Sequence, residues 1–102
     1  MYTGLPQELR SRVLERDGRR CRWCGATNRG VDLHHIRYRR GRADDTEDNL
    51  ISLCREHHRF VHGERSPAGW TIDKTTAQQI LYELVATPGV TGMALWRRQQ
   101  RG

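Results

Sequence analysis

The sequence predicts a small α+β domain that a metal ion stabilises, and three observations lead to this class. All five histidines and all three cysteines of the 102-residue chain lie between residues 21 and 62. Apolar residues alternate as in a strand near the first histidines and recur at helical spacing towards both ends of the chain. The hydrophobic content is only 35%, so a bound metal would be a substantial support, on the order of 10 kcal/mol in small zinc modules.

The first predicted element is a helix over residues 6–17. Pro6 occupies a favourable first helical position, and Gly18 follows as a stop signal at the carboxyl end. A narrow apolar stripe on this helix comprises Leu9, Val13 and Leu14.

Two pairs of candidate metal ligands share one spacing. Cys21 and Cys24 form a Cys-x2-Cys pair after the helix, and Cys54 with His57 repeats the spacing. Three thiolates and one imidazole in this arrangement predict a tetrahedral structural zinc site. His58 adjoins His57, so either histidine could be the fourth ligand, and the spacing from Cys54 favours His57.

A strand is predicted over residues 31–36. Apolar and polar residues alternate along it, so His34 and His35 should face opposite sides unless a bulge redirects one of them. A polar loop over residues 37–48 and a second strand over residues 50–53 follow.

A helix after the second strand is predicted to carry the last three histidines. His58 and His62 stand four positions apart, and residues at this spacing project from one helical face. If His57 belongs to the zinc site, these two histidines are free to bind a second metal ion.

Residues 66–102 are predicted to be an accessory helical extension that packs on residues 1–65 within one compact domain. Asp73 or Thr75 could cap the first helix of this extension, and a last short helix is expected over residues 91–101. The apolar face of the capped helix comprises Ala77, Ile80, Leu81, Leu84 and Val85.

The charge distribution points to an acidic polymer as the partner. The formal net charge is +6, and residues 19–42 hold eight arginines and one acidic residue. The predicted contacts to DNA phosphates are Arg37, Arg39, Arg40 and Arg42. Alternatively, the preference for arginine over lysine, 17 to 1, reflects the base composition of the source genome.

The expected location is the cytoplasm, without a membrane partner. The number of cysteines is odd, no apolar signal segment stands at the amino end, and no apolar run approaches the ~20 residues of a membrane span.

The order of these groups resembles that of the HNH endonuclease family. The resemblance covers about residues 5–65 and is specific because the zinc pairs and the histidine motifs interleave in the family's order. It implies a ββα-metal finger, in which a hairpin and one helix hold a single divalent ion against the scissile phosphate. The matching segments are Cys21 to Gly25, Asp32 to Ile36, Asp48 to Leu50, and Leu53 to His58, with His62 beyond.

The resemblance also implies a role for each motif residue. His35 matches the general base, since an imidazole can accept a proton from water near neutral pH. Asn49 matches the residue whose amide braces the loop beside that base. His34 and His58 match ligands of the catalytic ion, which would be Mg²⁺, Mn²⁺ or Ni²⁺. For His62 a third ligand, a phosphate contact and a solvated helix residue all stay open.

The function implied is metal-dependent hydrolysis of DNA phosphodiester bonds, by nicking or double-strand cutting, in a protein of bacterial or phage origin. A zinc-stabilised module that binds DNA without cutting is the first alternative. The second is an accessory subunit whose helix around residues 80–85 docks on a larger DNA-processing machine, and a homodimer is also open. Intact catalytic motif residues favour the nuclease.

Overall fold

The computed structural model describes residues 5–27, 30–38 and 44–100. Within these ranges the chain forms four α-helices and one antiparallel pair of strands, which confirms the predicted α+β class. The elements in chain order are α1 (Gln7–Arg16), β1 (Val31–His35), β2 (Leu50–Cys54), α2 (Arg55–Val61), α3 (Lys74–Ala86) and α4 (Gly92–Gln100).

The two strands form a hairpin with a regular register. Val31 pairs with Cys54 and His35 with Leu50, and the pairs between them follow one another without a bulge. Every residue of β2 is buried, because α1 and α2 both pack against this strand. Side chains alternate along β1, so His34 leaves the opposite face of the strand from His35.

A buried carboxylate joins α1 to the hairpin. Oδ2 of Asp17 accepts a hydrogen bond of 2.9 Å from the backbone N–H of Ser52. The guanidinium groups of Arg16 and Arg22 donate to the same carboxylate. Burial alone would raise the pKa of Asp17, but the nearby Arg16 and the other donors outweigh it and hold the pKa below its ordinary 3.8. The ionised carboxylate therefore ties the helix to the strand.

The C-terminal helices share one hydrophobic core with the hairpin. Asp73 caps α3, with its Oδ2 accepting from the backbone N–H of Thr76 at 3.0 Å. The boundary at residue 65 between the first part of the chain and the C-terminal extension stays a prediction. The core residues of α3 are Ala77, Ile80, Leu81 and Leu84, which join Ile51 and Leu53 of β2 in one buried cluster.

Two residues lie outside the helices to which the sequence assigned them. Pro6 is the N-cap of α1 and not its first helical residue. His62 is the C-cap of α2, which ends at Val61. The next residue, Gly63, has φ of +102°, a conformation that cannot continue a helix. In the described part of the chain, each helix is too short or too polar to cross a lipid bilayer.

Candidate metal centres

The first cluster of ligands contains the four side chains predicted to bind zinc. Cys21 and Cys24 lie in the turn after α1, Cys54 ends β2, and His57 lies in the first turn of α2. Their ligand atoms all lie within 4.8 Å of one another. The hairpin therefore brings together two ligand pairs that are about 30 residues apart in sequence.

Backbone hydrogen bonds hold the cysteine turn beside the hairpin. The N–H of Arg22 donates to the carbonyl of Ser52 at 2.9 Å, and the N–H of Gly25 donates back to Cys21 at 2.7 Å. Gly25 has φ of +82°, which residues with a Cβ rarely adopt. This glycine lets the chain fold back so that both thiols of the turn approach the same point.

The geometry and chemistry of this cluster fit zinc. Nδ1 of His57 lies 3.2 Å from Sγ of Cys54 and 3.9 Å from Sγ of Cys21. A tetrahedral zinc ion, with bonds of ~2.1 Å to nitrogen and ~2.3 Å to sulfur, separates its ligand atoms by about 3.6 Å. All three cysteines are free thiols, and burial raises the pKa of Cys21 to about 12. A zinc ion bound here would displace the thiol protons.

Aromatic residues pack around the histidine of this cluster. The ring of Trp23 stacks on His57 with centroids 6.4 Å apart, and Phe60 contacts His57 edge-on at 6.2 Å. Helix α4 also lies against Trp23: a Cβ placed on Gly92 would lie 2.3 Å from the indole ring. The C-terminal extension therefore supports the cluster through Trp23.

The second cluster consists of three histidines. His34 comes from β1, His58 from α2 and His62 from the end of α2. Their ring centroids lie 4.9–5.1 Å apart, and one ligand atom from each lies within 4.8 Å of the others. The structure thus brings His62 to the two predicted ligands, although it caps the helix.

Burial keeps this cluster suited to a cation. The pKa of His34 is lowered to about 3, mainly by burial and to a lesser extent by the neighbouring His58 and His62. Partial burial and His58 also lower the pKa of His62. Neutral imidazoles offer nitrogen lone pairs. Oδ2 of Asp32 lies 3.3 Å from Nδ1 of His58, a contact that orients the ring and leaves Nε2 for a metal ion.

His35 lies beside the histidine cluster and has its own partners. Oδ1 of Asp45 lies 2.8 Å from Nε2 of His35, and the ring of Tyr38 contacts the imidazole edge-on. His34, His35 and His62 nevertheless border one cavity of about 50 Å³. The predicted base therefore borders the same cavity as His34 and His62, although neighbouring side chains leave β1 on opposite faces; His58 joins these two ligands in the cluster but does not line the cavity.

Asn49 is a buried amide with four hydrogen bonds. Its Oδ1 accepts from the backbone N–H of Arg37 and from the hydroxyl of Tyr82, each at 3.0 Å. Its Nδ2 donates to the carbonyls of Arg37 and Asp44 at 3.1 and 3.0 Å. The amide thus connects the two described ends of the loop after β1.

The predicted phosphate contacts are only partly within the described structure. Arg37 is exposed at the end of β1. Arg39, Arg40 and Arg42 lie outside the described residues, so their roles stay predictions.

Four residues at the histidine site were not assigned a role from sequence. Asp32 stands two positions before His34, so strand alternation could have placed both on one face. No local pattern indicates Asp45, Tyr82 or Lys74, because they reach the site from a loop and from α3. Lys74 is the single lysine of the chain and borders the same cavity as His34.

A hairpin followed by a helix, with histidines from strand and helix converging between them, defines the ββα-metal class of fold. Residues 21–64 match the family model described as HNH endonuclease, so this chain carries an HNH domain and the resemblance is confirmed. No curated protein and no solved structure matched the chain. The domain indicates a role as a nuclease or in DNA binding.

Proposed function

We propose that this protein is a metal-dependent HNH endonuclease that hydrolyses phosphodiester bonds in DNA. The main support for the proposal is that His34, His35 and His62 border one cavity. His58 completes the histidine cluster. A DNA-binding module without catalysis has no use for a second metal centre beside a histidine held by a carboxylate. The net charge of +6 suits a polyanionic substrate.

His34, His58 and His62 would hold the catalytic ion, and Asp32 would orient His58. A divalent ion bound there stabilises negative charge on the phosphate and on the departing oxygen. The buried neutral imidazole of His34 holds no proton that an ion would have to displace. Mg²⁺, Mn²⁺ and Ni²⁺ are the candidates.

His35 would act as the general base. As the water oxygen bonds to phosphorus and the bond from phosphorus to the leaving oxygen breaks, the imidazole takes the proton that water loses. The leaving oxygen then gains a proton from solvent. Asp45 holds the ring of His35 in one orientation, and Asn49 holds the backbone beside it. These two residues position the base and transfer no proton.

The remaining assignments complete the proposal. Cys21, Cys24, Cys54 and His57 would hold a structural zinc ion that maintains the fold. Arg37, Arg39, Arg40 and Arg42 would contact phosphates of the substrate and make its binding depend strongly on salt.

The test is nicking of supercoiled plasmid by the zinc-loaded protein with Mg²⁺, Mn²⁺, Ni²⁺ or a chelator. His35→Ala should lower the rate by about 100-fold or more, the usual contribution of a general base. The variant must match the parent in zinc content and circular dichroism. Gln99→Ala, an exposed change on α4, serves as the matched control.

Three outcomes are decisive. Metal-dependent nicking that is lost in folded His35→Ala supports both the activity and the base. Equal cutting by parent and variant refutes the assignment of the base. Tight binding of DNA without cutting under any ion refutes the hydrolase and favours the non-cleaving module.

A further inference from the structure

A second cavity, of about 620 Å³, lies away from the histidine cluster and takes no part in the proposed hydrolysis. Trp70 and Trp96 form its aromatic side. Their ring centroids lie 5.7 Å apart and their ring planes meet at 86°, so the two indoles make a corner. Trp96 is buried, whereas Trp70 is 57% exposed. An indole that is open to solvent beside a buried one is a surface on which a flat ring can stack.

The exposed tryptophan is held by an ordered turn. The N–H of Ser66 donates to the carbonyl of Trp70 at 2.8 Å, and the N–H of Trp70 donates to Oγ of Ser66 at 3.0 Å. Nη1 of Arg65 donates to the carbonyl of Gly69 at 3.1 Å. The backbone of Trp70 is therefore already in place, which reduces the entropy lost when a ligand stacks on it.

Helix α2 connects this cavity to the histidine cluster. His57 and Phe60 line the cavity, whereas His58 belongs to the cluster. At about 100° per residue, His58 lies about 100° from His57 and about 160° from Phe60 around α2, so the two sites face different sides of the helix. Arg55 and Arg59 are both exposed and occupy the arc between them. Arg55 and Arg59 therefore form a cationic path that starts at the histidine cluster, and Glu56 lies between its end and the cavity and also lines the cavity.

The charge of this path and the shape of the cavity select one kind of occupant. Arg97 lines the cavity together with Glu56, so the arginines of the path and of the cavity outnumber this carboxylate three to one. A nucleobase offers a flat ring for the corner at Trp70, and the phosphates attached to it are anions for the arginines. Bases of a closed duplex are stacked on each other and cannot enter, so the base must be unpaired.

We propose that the cavity binds an unpaired nucleobase of the DNA strand, stacked on Trp70, while Arg55 and Arg59 contact the phosphates that lead to the histidine cluster. This inference rests on the proposed function and gives its substrate class: DNA with single-stranded nucleotides beside the bond that is cut. An apolar segment of a protein partner is the competing occupant.

The experiment measures binding by fluorescence anisotropy, with the zinc-loaded full chain and no added divalent ion, so that nothing is cut. The probes are a short single strand, its duplex, and the duplex with a single-stranded gap. Trp70→Ala should weaken binding of the single strand and the gapped duplex by about tenfold, and binding of the closed duplex by less than about twofold. Trp70→Phe should retain most of the affinity, because it keeps a stacking ring.

Salt dependence tests the cationic path. Arg59→Gln should lower the slope of log affinity against log salt for the single strand by about 0.7, the value for one phosphate contact. The exposed Gln99→Ala on α4 is the control for both measurements and should match the parent. Because Trp23 and Trp96 are buried, quenching of tryptophan fluorescence by the single strand should disappear in Trp70→Ala.

The inference is overturned if the parent does not bind the unpaired probes, if Trp70→Ala binds all probes like the parent, or if it loses affinity equally for all three. The first two results would favour an apolar protein segment as the occupant, and the third would show that Trp70 contributes to DNA binding without a preference for unpaired bases. Cleavage plays no part in the readout. A parent that stacks DNA on Trp70 but cuts nothing would refute the hydrolase alone, and a parent that cuts but binds independently of Trp70 would refute only this inference.

Discussion

Substitution of Gly92 by alanine adds one methyl group and should lower the free energy of unfolding of the domain. An added Cβ would lie 2.3 Å from the ring of Trp23, whereas ordinary contacts begin at 3.4 Å, so the ring or α4 must move by about 1.1 Å. Because Trp23 stacks on His57, the indole can move only if His57 moves too, and that movement would distort the cluster of zinc ligands. Overpacking of this kind costs about 1–3 kcal/mol.

Movement of α4 carries a further cost. The N–H groups of Gly92 and Met93 donate to the carbonyls of Arg22 and Trp23 at 2.9 and 3.0 Å. Each weakened hydrogen bond costs about 1 kcal/mol. Together with the overpacking, Gly92→Ala should lower the free energy of unfolding by about 3 kcal/mol, which for a domain of this size lowers Tm by more than about 10 °C.

The assay is denaturant unfolding at constant free zinc, followed by circular dichroism. Gly30→Ala is the matched control, because a Cβ at Gly30 meets no atom within 4 Å. Gly30→Ala should stay within about 0.5 kcal/mol of the parent. Equal stability of the two variants would show that α4 does not press on the zinc cluster, and the reasoning would fail.

Two further predictions concern the metal and the buried carboxylate. Chelation of zinc should remove much of the helical circular dichroism, and added zinc should restore it. Cys54→Ser should lose the bound zinc, whereas His62→Ala should retain it. An unchanged spectrum after complete removal of zinc would refute a structural role for the ion. Asp17→Asn should cost about 3–5 kcal/mol, because it leaves the buried guanidinium of Arg22 with carbonyl acceptors but without its neutralising carboxylate. The folded pKa of Asp17 is lowered, so its stabilisation is present above the ordinary 3.8 and is lost as pH falls through the folded value. The cost should therefore be constant from about pH 6 to 8, and a cost that falls within that range, or one below about 1 kcal/mol, would contradict it.

The sequence by itself determined the parts of this protein that depend on short spacings. Two ligands separated by two residues can reach one tetrahedral ion, so the pairs Cys21 with Cys24 and Cys54 with His57 were evident without a fold. Alternating residues indicated the first strand, and either Asp73 or Thr75 before an apolar stripe indicated the start of α3, where the structure shows Asp73 as the cap. The order of these signals was sufficient to predict the ββα class and the match of residues 21–64 to the HNH endonuclease family model.

Only the tertiary structure decided which distant residues meet. Tyr82 reaches Asn49 across 33 positions, and Asp45 reaches His35 from a loop without a regular pattern. The corner of Trp70 and Trp96 likewise exists only because a turn and α4 pack side by side. Such contacts depend on how helices and strands pack, and a local spacing carries no information about packing between elements that are far apart in sequence.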